Sequence, residues 1–234
     1  MKNQYVADIN DFRKYGLIRS LLKHNSLRCG VFWMLTDRDS SRDGELVAYL
    51  KRPEKNAHLD QELFHKLRAL VHDFEDRTVA RVRQEGVLPR SQYFEELIPD
   101  DASLRASIFR KGLLHLRDSD LVFFDPDNGL EIRSRRRGQK LSSKYLYLDE
   151  VQATFQEGHS LLIYQHFPRI ERSTYIQNRI GQLRDRLGRQ SICTFSSGYV
   201  CFLLVMQSHH QTELLGNIEQ FKAQWGSHFA VAIH

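Results

Sequence analysis

Apolar positions recur at helical spacing over residues 11–24, where Phe12, Tyr15, Leu17, Ile18, Leu21 and Leu22 share one side and Asp8 or Asn10 stands ready to cap the first turn. Residues 28–35 follow as a short unbroken apolar run, the pattern of a strand buried on both faces. The polar stretch 36–44 reads as a loop, and 45–50 as a short extended segment. A helical stripe returns with Leu63, Leu67, Leu70, Val71 and Phe74. It breaks around Pro89 and Pro99, then resumes with Leu104, Ile108, Leu113, Leu114 and Leu116. The whole region 51–117 therefore reads as a helical insertion.

Beyond it the pattern alternates. Apolar runs at 120–124, 160–165, 191–196, 199–207 and 229–233 predict strands. Helical stripes at 149–155, 173–187 and 212–225 lie between them, and Gly188 stops the second. Ser197-Gly198 between two strands predicts a hairpin. Strands alternating with helices specify a single α/β domain over 1–234, its sheet mostly parallel with one antiparallel terminal strand and helices on both faces.

Composition narrows the class. Hydrophobic residues make up 41% and charged residues 27%, enough apolar content for a packed core and too little uninterrupted for a membrane span. The first residues carry no apolar signal-peptide core. Cys29, Cys193 and Cys201 are odd in number, sit among apolar neighbours and form no Cys-x-x-Cys pair, so they predict reduced, buried thiols in a cytoplasmic protein. The net charge of +5 is compatible with a polyanionic partner.

Ligands of open α/β sheets bind at the carboxyl ends of strands. Three such ends are polar here: Thr36-Asp37, Asp125-Pro126-Asp127-Asn128, and Gln165-His166. In the second, four apolar residues deliver an acid. A proline then ends the ladder, and Asn128-Gly129 supplies turn chemistry. A carboxylate and an amide are thereby presented at a strand tip. His166, with a near-neutral intrinsic pKa, suits proton transfer.

Asp125-Pro126-Asp127-Asn128 resembles the Asp/Asn-Pro-Pro-Tyr/Phe motif of amino-directed nucleic-acid methyltransferases, with Asp127 and Asn128 where that motif has its second proline and aromatic. The order of elements is similar to the large-subunit ribosomal RNA adenine-N6 methyltransferases and their three-Cys-motif-partner relatives. So is Asp11-Phe-Arg-Lys14 in the first helix, and so is the Ser197-Gly198 hairpin. The resemblance implies a Rossmann-like methyltransferase-type sheet and S-adenosylmethionine as cofactor. It implies a target amino group held by Asp125 and Asn128 with help from Lys14, and a cofactor side formed by Asp11, Thr36 and Asp37. The loop after the first strand lacks glycine until Gly44, unlike the family's.

Two other readings remain open at this stage. Asp125, Asp127 and Glu131, hard oxygen ligands within seven residues, suit Mg²⁺ and phosphodiester hydrolysis. The same fold also serves as a non-catalytic nucleic-acid or partner-binding module. Arg133, Arg135, Arg136, Arg137 and Lys140 crowd eight residues just after the acidic tip, and with Arg169 they predict contacts to the phosphates of RNA or DNA.

Overall fold

The computed structural model describes residues 1–37, 44, 46–73, 77–198 and 200–234. Its strands, in chain order, are β1 (Cys29–Phe32), β2 (Ser91–Phe94), β3 (Leu121–Phe124), β4 (Gly129–Leu130), β5 (Tyr145–Leu146), β6 (Ser160–His166), β7 (Ser191–Ser196), β8 (Val200–Met206) and β9 (Ala230–Ile233). The helices are α1 (Ile9–Leu21), α2 (Pro53–Asn56), α3 (Gln61–His72), α4 (Val79–Gln84), α5 (Ala102–His115), α6 (Leu148–Gln156), α7 (Arg172–Leu187) and α8 (Gln211–Trp225).

Seven strands form one sheet in the order β2-β1-β3-β6-β8-β7-β9. The first four are parallel, β8 opposes β6, and β7 pairs antiparallel with β8 as the predicted hairpin. This is the expected Rossmann-like α/β architecture. β9 adds a further antiparallel pairing on β7. β4 and β5 pair separately as a two-stranded parallel patch.

The period of two along each strand sorts side chains into two cores. Val31, Trp33, Phe123 and Leu162 pack with α1, α3 and α8, whereas Phe32, Phe124, Leu161 and Ile163 pack with α5, α6 and α7. Helix α1 lies very close to α8: a Cβ on Gly16 would stand 2.3 Å from the Trp225 ring. All three cysteines are buried and free. No helix among the described residues is long and apolar enough to cross a membrane.

The stretch 51–117 departs from the expected helical insertion. It carries β2, which pairs in register with β1 from Cys29↔Ser91 to Phe32↔Phe94. Ser91-Gln-Tyr-Phe94 is too short and polar to show an apolar run, being an edge strand with only Phe94 fully buried. Residues 48–51 form a 3-10 turn instead of extended chain. Most of the 36–44 loop, with Glu45, Phe74 and Tyr199, lies outside the described residues.

Candidate functional site

Asp8 starts α1 by accepting the amides of Asn10 and Asp11 (both 2.8 Å). One turn on, Asp11, Lys14 and Tyr15 point together at the sheet, as i, i+3 and i+4 residues must. Opposite them β3 ends. Leu121 and Phe123 face α1, so the next residue on that face is Asp125. The Lys14 Nζ lies 2.6 Å from Asp125 Oδ2 and 2.7 Å from Asp11 Oδ1. Asp11 Oδ2 accepts from the Tyr15 hydroxyl and the Ala7 amide (both 3.0 Å). Lys14 is 3% exposed and Asp125 2%. Burial alone would lower the Lys14 value, but Asp11 and Asp125 outweigh it and hold the ammonium above the ordinary lysine range. Burial pushes Asp125 up, against the opposing pull of Lys14.

This network floors a cleft of about 550 Å³ at the carboxyl ends of β3 and β6, the location open α/β sheets use for ligands. Its walls include Met1, Tyr5, Asp8, Asn128, Lys144 and Tyr164. The α-amino group of Met1 meets the carbonyls of Met34 (3.2 Å) and Asp125 (2.9 Å) and the Asp127 carboxylate (2.7 Å). Asp127 also accepts from the Thr36 hydroxyl at 3.0 Å. Burial would raise the Asp127 value, but the α-amino group and Thr36 hold it below the usual carboxylate range.

Two residues whose roles the sequence did not assign shape this region. Gln165, 1% exposed at the end of β6, donates to Asn128 O (2.8 Å) and accepts from Leu130 N (2.9 Å). It straddles Gly129, where φ is +106° and a Cβ would lie 2.2 Å from the glutamine amide; only glycine fits. On the other face, Arg105 on α5 makes a buried bidentate pair with Glu150 (2.7 and 2.8 Å) and donates to the carbonyls of Ser142 and Tyr145. A buried arginine 45 residues from its partner has no local pattern.

Of the sequence candidates, Lys14, Asp125, Asn128 and His166 line the cleft together. His166 is exposed on its wall. Asp11 serves as partner to Lys14. Thr36 binds Asp127, whereas Asp37 borders a neighbouring hollow of about 330 Å³ with Leu97, Ile98, Pro99, Leu104 and Ile108. The acidic trio does not converge: Asp125 is held by Lys14, Asp127 by Thr36, and Glu131 Oε1 accepts the Leu148 amide at the start of α6. Among the described residues no three His, Cys, Asp or Glu side chains are grouped to hold a metal ion, so the residues present do not fit the Mg²⁺ site. The basic loop is also partly spent. Arg137 pairs with both oxygens of Asp149 (2.9 and 2.5 Å) and lies 4.4 Å from the Tyr147 ring centroid, and Arg135 donates to Lys140 O. Arg133, Arg136 and Arg169 remain exposed.

Burial, then the neighbouring Asp11 charge, pushes Asp8 up to about 7. Because this exceeds the ordinary aspartate value, the stability the group contributes is complete below about pH 4 and is lost as pH rises through about 7. Asp8→Asn keeps the cap acceptor and removes the titration. We expect the wild type to lose about 2–3 kcal/mol between pH 5 and 8 that the variant does not. Urea melts at both pH values check this; parallel profiles would exclude Asp8 as the titrating group.

The sheet order and its charged cleft define the class: a Rossmann-like α/β protein with a buried lysine–aspartate centre at the carboxyl edge of its parallel strands. Among solved structures, the chain is similar to the crystal structure of protein LPL1258 from Legionella pneumophila strain Philadelphia 1, described with the family model DUF519. The likeness covers 98% of this chain and 96% of that one, at 12% identity and a TM-score of 0.45. No protein-family model and no curated protein matches the sequence.

Proposed function

We propose that the protein is an S-adenosylmethionine-dependent methyltransferase acting on an amino group in nucleic acid. One observation carries this. Lys14 takes Asp125 Oδ2, while Oδ1 of the same carboxylate and the Pro126 carbonyl have no hydrogen-bond partner among the described residues, and both residues line the cleft. Two adjacent acceptors, one fixed by a buried cation, suit the two N–H groups of an amine. Held there, the nitrogen presents its lone pair in one direction. Lys14 keeps the carboxylate from turning away and screens it from Asp11.

The cofactor's α-ammonium group would take the acceptors that the Met1 α-ammonium now fills, the carbonyls of Met34 and Asp125 and the Asp127 carboxylate, by displacing it. Asp37 and the apolar hollow beside it would hold the adenosine end. When bound, the cofactor supplies an electrophilic methyl group. Exposed Arg133, Arg136 and Arg169 would neutralise phosphates.

Calorimetry tests the reading. Saturable heat is expected with S-adenosylmethionine and with its demethylated product. In Asp125→Ala, methyl transfer to RNA or DNA should fall about a hundredfold. Absence of heat at millimolar ligand would end the proposal. Steeply salt-dependent nucleic-acid binding without cofactor heat would instead leave a non-catalytic binding module.

A further inference from the structure

Away from the cleft, β2 is an outermost strand of the sheet, and among the described residues only β1 pairs with it. The Arg90 and Phe94 carbonyls turn inward, 3.0 Å from Cys29 N and 3.3 Å from Trp33 N. Alternation therefore turns the N–H and C=O groups of Ser91, Tyr93 and Glu95 outward, where among the described residues they have no partner. A hollow of about 680 Å³ runs along this edge, lined by Gln92, Tyr93, Phe94 and, from α5, Lys111 and Leu114. Leu114 is 63% exposed there. An open edge beside an exposed leucine is a template for another strand.

Charge selects which strand. Arg90, exposed and tied to the carbonyls of Leu22 and Leu27, stands before β2 and meets no carboxylate among the described residues. Glu95 and Glu96 stand after it, beside Arg83 (2.9 Å) and Lys111 (2.5 Å) respectively. The two carboxylates oppose a nucleic-acid strand at this edge. A base before the strand and acids behind it make the strand complementary to its own antiparallel image.

We propose that β2 is a dimerisation edge: two copies of the chain pair their β2 strands antiparallel about a two-fold axis at Tyr93. In that register Ser91 lies opposite the copy's Glu95 and Tyr93 opposite the copy's Tyr93, which gives about six backbone hydrogen bonds. Arg90 lies opposite the copy's Glu96, and Gln92 opposite the copy's Phe94. The outward groups fall on alternate residues, so the strands can slip only by whole pairs. One slip sets Arg90 against the copy's Phe94, and the other sets it against the copy's Ile98. Only the register centred on Tyr93 opposes unlike charges. The Tyr93 ring is already held there by stacking on Trp33, with centroids 6.2 Å apart. The copy's strand lies along the hollow and covers Leu114. Because the same edge serves both copies, the contact closes on itself and yields a dimer instead of a filament.

Sedimentation equilibrium of the chain between about 1 and 100 µM tests this, the range in which a small interface associates. The wild type should pass from 27.5 kDa towards twice that mass. Glu95→Pro removes one outward N–H and leaves the inward Phe94 carbonyl in place. Glu96→Arg sets like charges opposite Arg90. Each change acts twice across the axis and should weaken association about tenfold or more with little change in Tm. Glu96→Arg mixed with Arg90→Glu restores both unlike pairs, so the mixture should dimerise where neither variant does alone. A mass of 27.5 kDa at every concentration, a dimer indifferent to both Glu95→Pro and Glu96→Arg, or a mixture that stays monomeric while its two variants keep the wild-type Tm would each overturn the proposal. Neither cofactor nor nucleic acid enters the measurement, so its outcome is independent of the methyltransferase reading.

Discussion

Lys14→Met will cost the fold about 3–5 kcal/mol, the penalty for leaving buried charge without its partner. The lysine separates two buried carboxylates, Asp11 and Asp125, at 2.7 and 2.6 Å. Without it both face one another at the almost fully buried floor of the cleft. The replacement matches its length but leaves no donor. In a domain of this size the loss corresponds to a fall in Tm of about 10 °C or more. Equilibrium urea unfolding provides the number. A loss below about 1 kcal/mol would mean that water readily replaces the ammonium and that the network is not sealed. Such a result would also remove the argument that Lys14 fixes the orientation of Asp125.

Arg105→Met should be comparably severe, about 3–5 kcal/mol, because the buried Glu150 loses its bidentate partner and keeps only the Tyr147 amide at 3.0 Å and Arg137 at 3.7 Å. The double variant Arg105→Met/Glu150→Leu should recover most of the loss, since replacing a whole buried pair by apolar groups is often neutral or better. The single variant should also be nicked faster by protease near 132–146, because Arg105 ties the carbonyls of Ser142 and Tyr145 to α5. Equal stability of the single and double variants would show that packing, not charge, sets the cost.

The architecture was readable in the sequence wherever a strand was long and apolar, as at 120–124 and 160–165, because burial on both faces leaves a continuous hydrophobic signature. β2 was hidden because an edge strand of four residues needs almost no apolar content. At the site, Asp125 could be singled out because a proline and a turn follow the acid, and Lys14 because Asp11-Phe-Arg-Lys14 resembles a family pattern. Their pairing across 111 residues is a product of topology alone. Gln165 showed only as part of a polar strand end, Glu150 only as a further candidate metal-ligating carboxylate, and Arg105 not at all, since their partners are backbone groups or distant side chains. The basic loop misled in part: a run of arginines looks the same in sequence whether a guanidinium is free, as in Arg133, or locked to an aspartate, as in Arg137.

The small β4–β5 patch has a practical meaning for anyone redesigning the chain. It zips Gly129 to Tyr145 and Leu130 to Leu146, closing the basic loop at its root, while the turn around Gly138 stands exposed at its far end. Lengthening a loop already clamped at its root costs only about 0.6 kcal/mol per doubling. A tag or fluorophore placed there would stand on the same loop as the exposed Arg133 and Arg136, so it would report on, or block, whatever approaches that side of the sheet.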